Sequence, residues 1–416
     1  MPPRWRPLQR DERVVCRPAS RARKPTRRAK PLPSIVFLLG AASFVVVAVM
    51  TVTAPLLPLI ARDFAVSVGA AGVVVSAFAV PYGAFQIVFG PLGDRLGKLK
   101  LIAVSLAVST LFVLASGLSG GLESLAVMRF LSGATMAGTV PLAMAWIADE
   151  VPYERRQLVI GRYINGLVLG QIAGGCIGGL AAEYLEWRQI FLVFAALCAL
   201  ASVLLWRAAL RIGERPPAER RSLGAILAVW AAVLRRPRSR AIIVVGTLEG
   251  IFIFGVAAYY GAFLRQAHGL GYALIGLVLS MYGVGGLIYS ALIRHVVRRL
   301  GERRMILGGA LLLGSCYLLL PHAPHWWLTP PLLLFAGFGF YTLHNTLQTL
   351  ATELDPNARG TALSLWVFMI FVGQGFGVTA VGSLVDARGY TPAFTIAGLG
   401  IVGLGVWFHR RLVATA

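Results

Sequence analysis

Gly90-Pro91-Leu92-Gly93-Asp94-Arg95-Leu96-Gly97-Lys98-Leu99-Lys100 is the stretch that decides the fold. Apolar runs flank it on both sides, Gly69–Phe89 before and Leu101–Gly117 after, each long enough to cross a bilayer. Between them stand one acid (Asp94), three bases (Arg95, Lys98, Lys100) and three glycines (Gly90, Gly93, Gly97). Glycines let one helix end and the next begin close by, and cations hold such a turn on the cytoplasmic face. The stretch therefore reads as a tight cytoplasmic turn between two transmembrane helices.

The rest of the chain agrees. Of its 416 residues, 57% are hydrophobic and 13% charged, with a mean hydropathy of +0.74; a soluble protein carries about 25% charged residues. Apolar runs of about 20 residues mark twelve spans, at 34–60, 69–90, 99–119, 123–147, 158–183, 188–206, 241–264, 272–293, 303–320, 329–351, 360–384 and 391–408. A formal charge of +22 would suit nucleic acid, but the cations are placed for a membrane. With the N-terminus inside, all 39 Lys and Arg except five lie in the interior tails and loops or at the interior ends of spans. Arg62, Arg188, Arg265 and Arg388 lie outside, and Arg129 lies within a span. This bias predicts a multi-pass protein of the cell (inner or plasma) membrane with both termini cytoplasmic. Cys16 falls in the tail and Cys176, Cys198 and Cys316 in spans, without ligand spacing, so neither a disulfide nor a metal is expected.

Five segments follow. Residues 1–33 form a basic cytoplasmic tail with eleven Lys or Arg, read as disordered and resting on anionic headgroups. The apolar run after it is too long for a signal peptide. Residues 34–206 form a first six-span unit, 207–240 a cytoplasmic linker, 241–408 a second six-span unit, and 409–416 a cytoplasmic tail. The linker holds nine arginines and an apolar segment, Leu223–Leu234, that reads as an interfacial amphipathic helix. Gly97 and Gly301 lie 204 positions apart, as do Pro152 and Pro356, and Arg155 and Arg359, so two interior loops recur at one offset.

The opening stretch also resembles the loop signature G-x3-D-R-x-G-[RK]-x-[RK] of the major facilitator superfamily of secondary transporters, through Gly90, Asp94, Arg95, Gly97, Lys98 and Lys100. The resemblance implies an all-α polytopic fold with twelve transmembrane helices in two pseudo-symmetric six-helix bundles around a midplane cavity. It also implies that this loop is a conformational latch. Asp94 would sit at the N-terminal end of span 11 near Gly360, where a carboxylate meets the helix dipole. The loop cations would pair with Asp149 or Glu150, and Arg155 in the next interior loop completes the set. The second repeat has Arg298 in place of Asp94, so the latch is expected on one side only. A phosphate-binding loop does not fit Gly93–Lys98, because the glycine spacing is one short and Leu99 replaces Ser or Thr.

In span 4, Leu125, Arg129, Ser132 and Gly133 are similar to the family's L-x3-R-x2-q-G, with Ser for Gln. Arg129 either faces the bundle interior or snorkels outward. In span 5, Gly161, Gly170, Gly174, Gly178 and Gly179 resemble the antiporter signature without its proline, while Gly166, Gly170, Gly174 and Gly178 make a ridge that plain helix packing also explains. Two titratable groups fall near midplane. Glu249 is about 12 Å into span 7 and His344 about 15 Å into span 10 at ~1.5 Å per residue, with Asn345 and Gln348 beside the latter. Arg129, Glu249, His344, Asn345 and Gln348 are the expected substrate and proton pathway. Span 1 has no acid, unlike many drug–proton antiporters of the superfamily.

The function these readings imply is secondary transport of a small organic solute by alternating access, as proton-coupled efflux. A proton-symporting importer and a transport-inactive sensor or scaffold are the alternatives. The expected partners are a small-molecule substrate, protons and the lipid bilayer, with no nucleic acid, no cofactor besides the proton gradient, no enzymatic activity and a monomeric state.

Overall fold

A computed structural model describes residues 32–212, 223–355 and 358–414. The basic tail up to residue 31, Cys16 within it, Pro216-Pro217 of the linker and Pro356 lie outside the described residues. Every regular element among the described residues is helical. The chain opens with α1 (Leu32–Thr51) and α2 (Thr53–Asp63), broken at Val52. Pro55 explains the break, since it removes a backbone donor and crowds the preceding turn. The helices α3 (Val68–Ala71) and α4 (Val73–Leu96) lead into the Gly97 turn, and α5 (Lys98–Gly117) leads away from it. The first repeat continues through α6 (Leu122–Met136), α7 (Thr139–Glu150), α8 (Tyr153–Tyr184) and α9 (Trp187–Ile212). The linker helix is α10 (Leu223–Arg235).

The second repeat begins with α11 (Pro237–Glu249), a π turn (Gly250–Phe254), α12 (Gly255–Ala257) and α13 (Tyr260–His268). It continues with α14 (Tyr272–Leu319), α15 (Thr329–Thr352), α16 (Arg359–Arg388) and α17 (Tyr390–Ala414). Ten stretches among the described residues are long and apolar enough to cross a membrane, against the twelve runs read from sequence. The difference has two sources. Two expected spans, 272–293 and 303–320, follow one another directly through the non-helical Gly301 and so count as the one stretch α14. The other is α15, which carries His344, Asn345 and Gln348 and is not among the ten. Helices also overrun the expected boundaries: α9 continues to Ile212, α11 starts at Pro237, and α17 continues to Ala414.

The 204-residue repeat is visible in the backbone. Gly97 has φ +91° and Gly301 φ +69°, a region that glycine enters without steric penalty. Each stands where one long helix gives way to the next.

Within the first repeat α1 packs on α8 and α5 on α9; within the second, α14 packs on α15 and α17. The ridge of α8 fits α1 closely. A Cβ added at Gly166 would lie 2.7 Å from Gly40 O, one at Gly170 2.6 Å from Phe44 O, and one at Gly178 2.8 Å from Val52 Cγ2. These glycines are spent on backbone contact. At one corner, Arg188 pairs with Asp63 and donates to Ser119 O at 3.2 Å, tying three connections together. The Arg188 guanidinium holds the Asp63 carboxyl below its usual range.

Across the two repeats, α8 meets α14, α4 meets α16, and α2 meets α13. The close contacts gather at the end remote from the Gly90–Lys100 loop. There, a Cβ on Gly276 would lie 2.6 Å from Gly175 O and one on Gly261 3.0 Å from Ala54 O. At the loop end, a Cβ on Gly90 or Gly360 would meet nothing within 4 Å. The linker helix spans this looser end: Trp230 Nε1 donates to Thr361 O at 3.0 Å, and its ring stacks on Phe368 at 5.5 Å.

Candidate transport site

Glu249 ends α11 where the backbone widens into the π turn, a distortion that often marks functional positions in helices. Small residues let α16 press against this segment. A Cβ on Gly246 would lie 2.5 Å from Trp366 Nε1, and one on Gly250 would lie 2.8 Å from Gln374 N. Tyr317 donates its hydroxyl to Ile253 O at 3.3 Å, satisfying a carbonyl of the widened turn.

The packing removes the Glu249 side chain from solvent. Its Oε1 lies 2.6 Å from His344 Nδ1 on α15. Its Oε2 has no hydrogen-bond partner among the described residues, and neither have Trp366 Nε1 and Gln374 Oε1. The His344 ring stacks on Phe340 at 5.0 Å and lies 5.3 Å from Trp366. Its side chain keeps 19% exposure while that of Glu249 has none. The imidazole is thus the accessible half of the pair and the carboxylate the hidden half. Burying a carboxylate demands a partner, and His344 is that partner.

The other expected pathway residues scatter. Asn345 is half-buried next to His344 in sequence, and its backbone carbonyl accepts Thr349 Oγ1 at 2.8 Å. Gln348 is half-buried one turn beyond His344. Arg129 is 1% exposed, so it does not snorkel. It donates to Val49 O at 3.2 Å and Val74 O at 3.4 Å and lies 4.3 Å over the Phe78 ring. Nη2 lacks a partner and no ion pair forms among the described residues. Arg129 therefore sits inside the first repeat, apart from the Glu249–His344 pair.

In the loop, Lys98 is buried and its Nζ lies 2.8 Å from Asp149 Oδ2 and 3.2 Å from Asp94 Oδ1. The expected pairing of a loop cation with the end of span 4 is present through Asp149. Arg155 is exposed. Its neighbour Arg156 makes the structural contact, with Nη2 donating to Ala148 O at 2.5 Å and Val151 O at 3.4 Å, which binds the open carbonyls at the end of α7.

Sequence reasoning missed the bond between Tyr341 Oη and Gln171 Oε1 at 2.7 Å, which joins α15 to α8 across the two repeats. Tyr341 lies three positions before His344, on the same helix face, and that spacing was the available signal.

A helical membrane protein with two related halves and buried titratable groups within them has the architecture of a secondary transporter. The model of the Major Facilitator Superfamily matches residues 39–365, and the chain belongs to that superfamily. It is 28% identical over 364 residues to the uncharacterized MFS-type transporter YceJ of Bacillus subtilis (strain 168), covering 87% of this chain and 90% of that protein. It is 25% identical over 376 residues to Multidrug resistance protein 2 of the same organism, covering 87% and 92%. In fold it is similar to the D-xylose-proton symporter, with TM-score 0.70 at 17% identity, covering 90% of this chain and 97% of that one.

Proposed function

We propose that this transporter moves a small organic solute by alternating access and couples the movement to protons through Glu249 and His344. The observation that carries the reading is the 2.6 Å contact between a fully buried carboxylate and a partly exposed imidazole. A proton arriving at the accessible His344 changes the charge of a pair whose carboxylate is buried. The two conformations then differ in energy with protonation, which is what coupling requires. The Phe340 and Trp366 rings flanking His344 give it apolar neighbours, as organic-solute sites usually have.

The direction we propose is efflux in exchange for protons, in keeping with the name of Multidrug resistance protein 2. The glycine ridge of α8 adds nothing to this, since its packing on α1 accounts for it. Import with protons is the second reading, favoured by the structural similarity to a symporter. Proteoliposomes with an imposed pH gradient test the proposal. Solute accumulation that follows the sign of the gradient supports it, and no flux of any candidate solute under either polarity leaves the sensor or scaffold reading.

We place the protein as a monomer in the cell membrane with both termini cytoplasmic. In a background without the four native cysteines, an impermeant thiol reagent added outside should label Gly269→Cys and spare Arg235→Cys. Labelling of Arg235→Cys alone would invert the topology.

The latch is proposed to work through Asp94. In this conformation the carboxylate is held by Lys98 in its own loop; in the alternate one it would meet the start of α16. Asp94→Asn removes a charge worth about 0.3–1 kcal/mol at a helix terminus. Transport should fall severalfold at equal membrane insertion, and equal transport by both proteins would remove the latch.

A further inference from the structure

The antiparallel helices α4 and α16 each carry an aspartate two residues before their C-terminal residue, Asp94 before Leu96 and Asp386 before Arg388. Asp386 is engaged. Its Oδ1 accepts the Gly69 backbone N–H at 3.0 Å, and its Oδ2 accepts Ser67 Oγ at 2.5 Å. Ser67 is itself the N-cap residue of α3 and accepts the Ala70 N–H at 3.0 Å. The carboxylate of one repeat thus completes the cap of a helix in the other. These are charge-assisted bonds at the positive end of a helix.

The surroundings are shaped for this contact. A Cβ on Gly69 would overlap the Asp386 carboxylate and Gly382 O, and a Cβ on Gly72 would overlap the Tyr259 hydroxyl. Tyr259 stands at the break between α12 and α13 and donates its hydroxyl to Val378 O at 2.8 Å, with Gly69 O a second acceptor 3.4 Å away. Two helices, one hydroxyl and one carboxylate close this end, while Gly90 and Gly360 stand free at the other.

We infer that Asp386 is a second latch residue, acting on the same helix pair as Asp94 but at the opposite end, and that the two latches alternate. When Asp386 caps α3, this end is shut and Asp94 is left to Lys98. When the helices rock the other way, Asp386 releases Gly69 and Ser67 and the Asp94 end shuts. The inference rests on the alternating-access reading, and Asp386 acts by positioning helices without touching solute.

The test uses full-length protein in nanodiscs, with spin labels in the cysteine-free background. One pair, Ala70→Cys with Ser383→Cys, reports the Asp386 end; the other, Gly90→Cys with Gly360→Cys, reports the Asp94 end. Asp386→Ala should lengthen the first distance and shorten the second, raising the share of the opposite conformation roughly tenfold for the loss of a charge-assisted cap. Ser67→Ala, which removes one bond and keeps the charge, should move both distances the same way by less. A merely structural role would lower the melting temperature without driving the two distances in opposite directions. Unchanged distances in both folded variants overturn the latch. Absence of transport by the unaltered protein would instead overturn the transport reading, because the distances are measured without solute or gradient.

Discussion

Glu249→Gln should abolish the accumulation of solute driven by a pH gradient while leaving solute exchange without a gradient largely intact. The substitution keeps the shape and the hydrogen bond to His344 but removes the charge that holds a proton on the pair. Gradient-driven accumulation should fall on the order of 100-fold, the low end of what a positioned proton-transfer group contributes. His344 is the accessible member, so His344→Gln should show the same uncoupling. If Glu249→Gln still concentrates solute against its gradient when driven by pH alone, Glu249 is not the coupling group. Loss of exchange together with accumulation would make it a solute-binding group instead.

The second large effect is expected at Gly250. A Cβ there would overlap Ile370 O and lie 2.8 Å from Gln374 N, both of them backbone atoms of α16. Flexible side chains cannot yield in their place, so α16 must move away from the π turn. Gly250→Ala should cost roughly 1–3 kcal/mol as overpacking, read as a lower melting temperature in detergent. Because Glu249 precedes Gly250, its contact with His344 should loosen and coupling should weaken as well. A melting temperature equal to that of the unaltered protein would show that the two helices tolerate a wider separation. As a control, Gly403→Ala adds a methyl where nothing lies within 4 Å and should leave both readouts unchanged.

Much of the candidate site was legible in the sequence. Polar groups are rare in apolar spans because lipid penalises them, so Glu249 and His344 stand out, and counting residues inward sets both near midplane. The pairing of the buried Lys98 with the exposed Asp149 was legible too, through the loop signature. Other features were not. Arg155 and Arg156 are chemically identical neighbours, and only the start of α8 decides which one turns back onto α7. Asp386 reads as an ordinary acid at a span end, and its target, Gly69, lies 317 positions away.

The sequence alone determined the class and frame of this protein: long apolar runs, few charges within them, and glycines at 97 and 301 where two helices must turn. These follow from local physics, since chain length, solvation and backbone freedom act at each position independently of its neighbours in space. Only the tertiary structure decided which residues meet. The spans are apolar nearly all round and carry little amphipathic signal to orient them. Their rotation and depth are set by where small residues allow close approach, as at Gly246 and Gly250 against α16. That approach buries Glu249 and leaves His344 partly exposed, and the packing of α16 on the first half brings Asp386 onto the cap of α3.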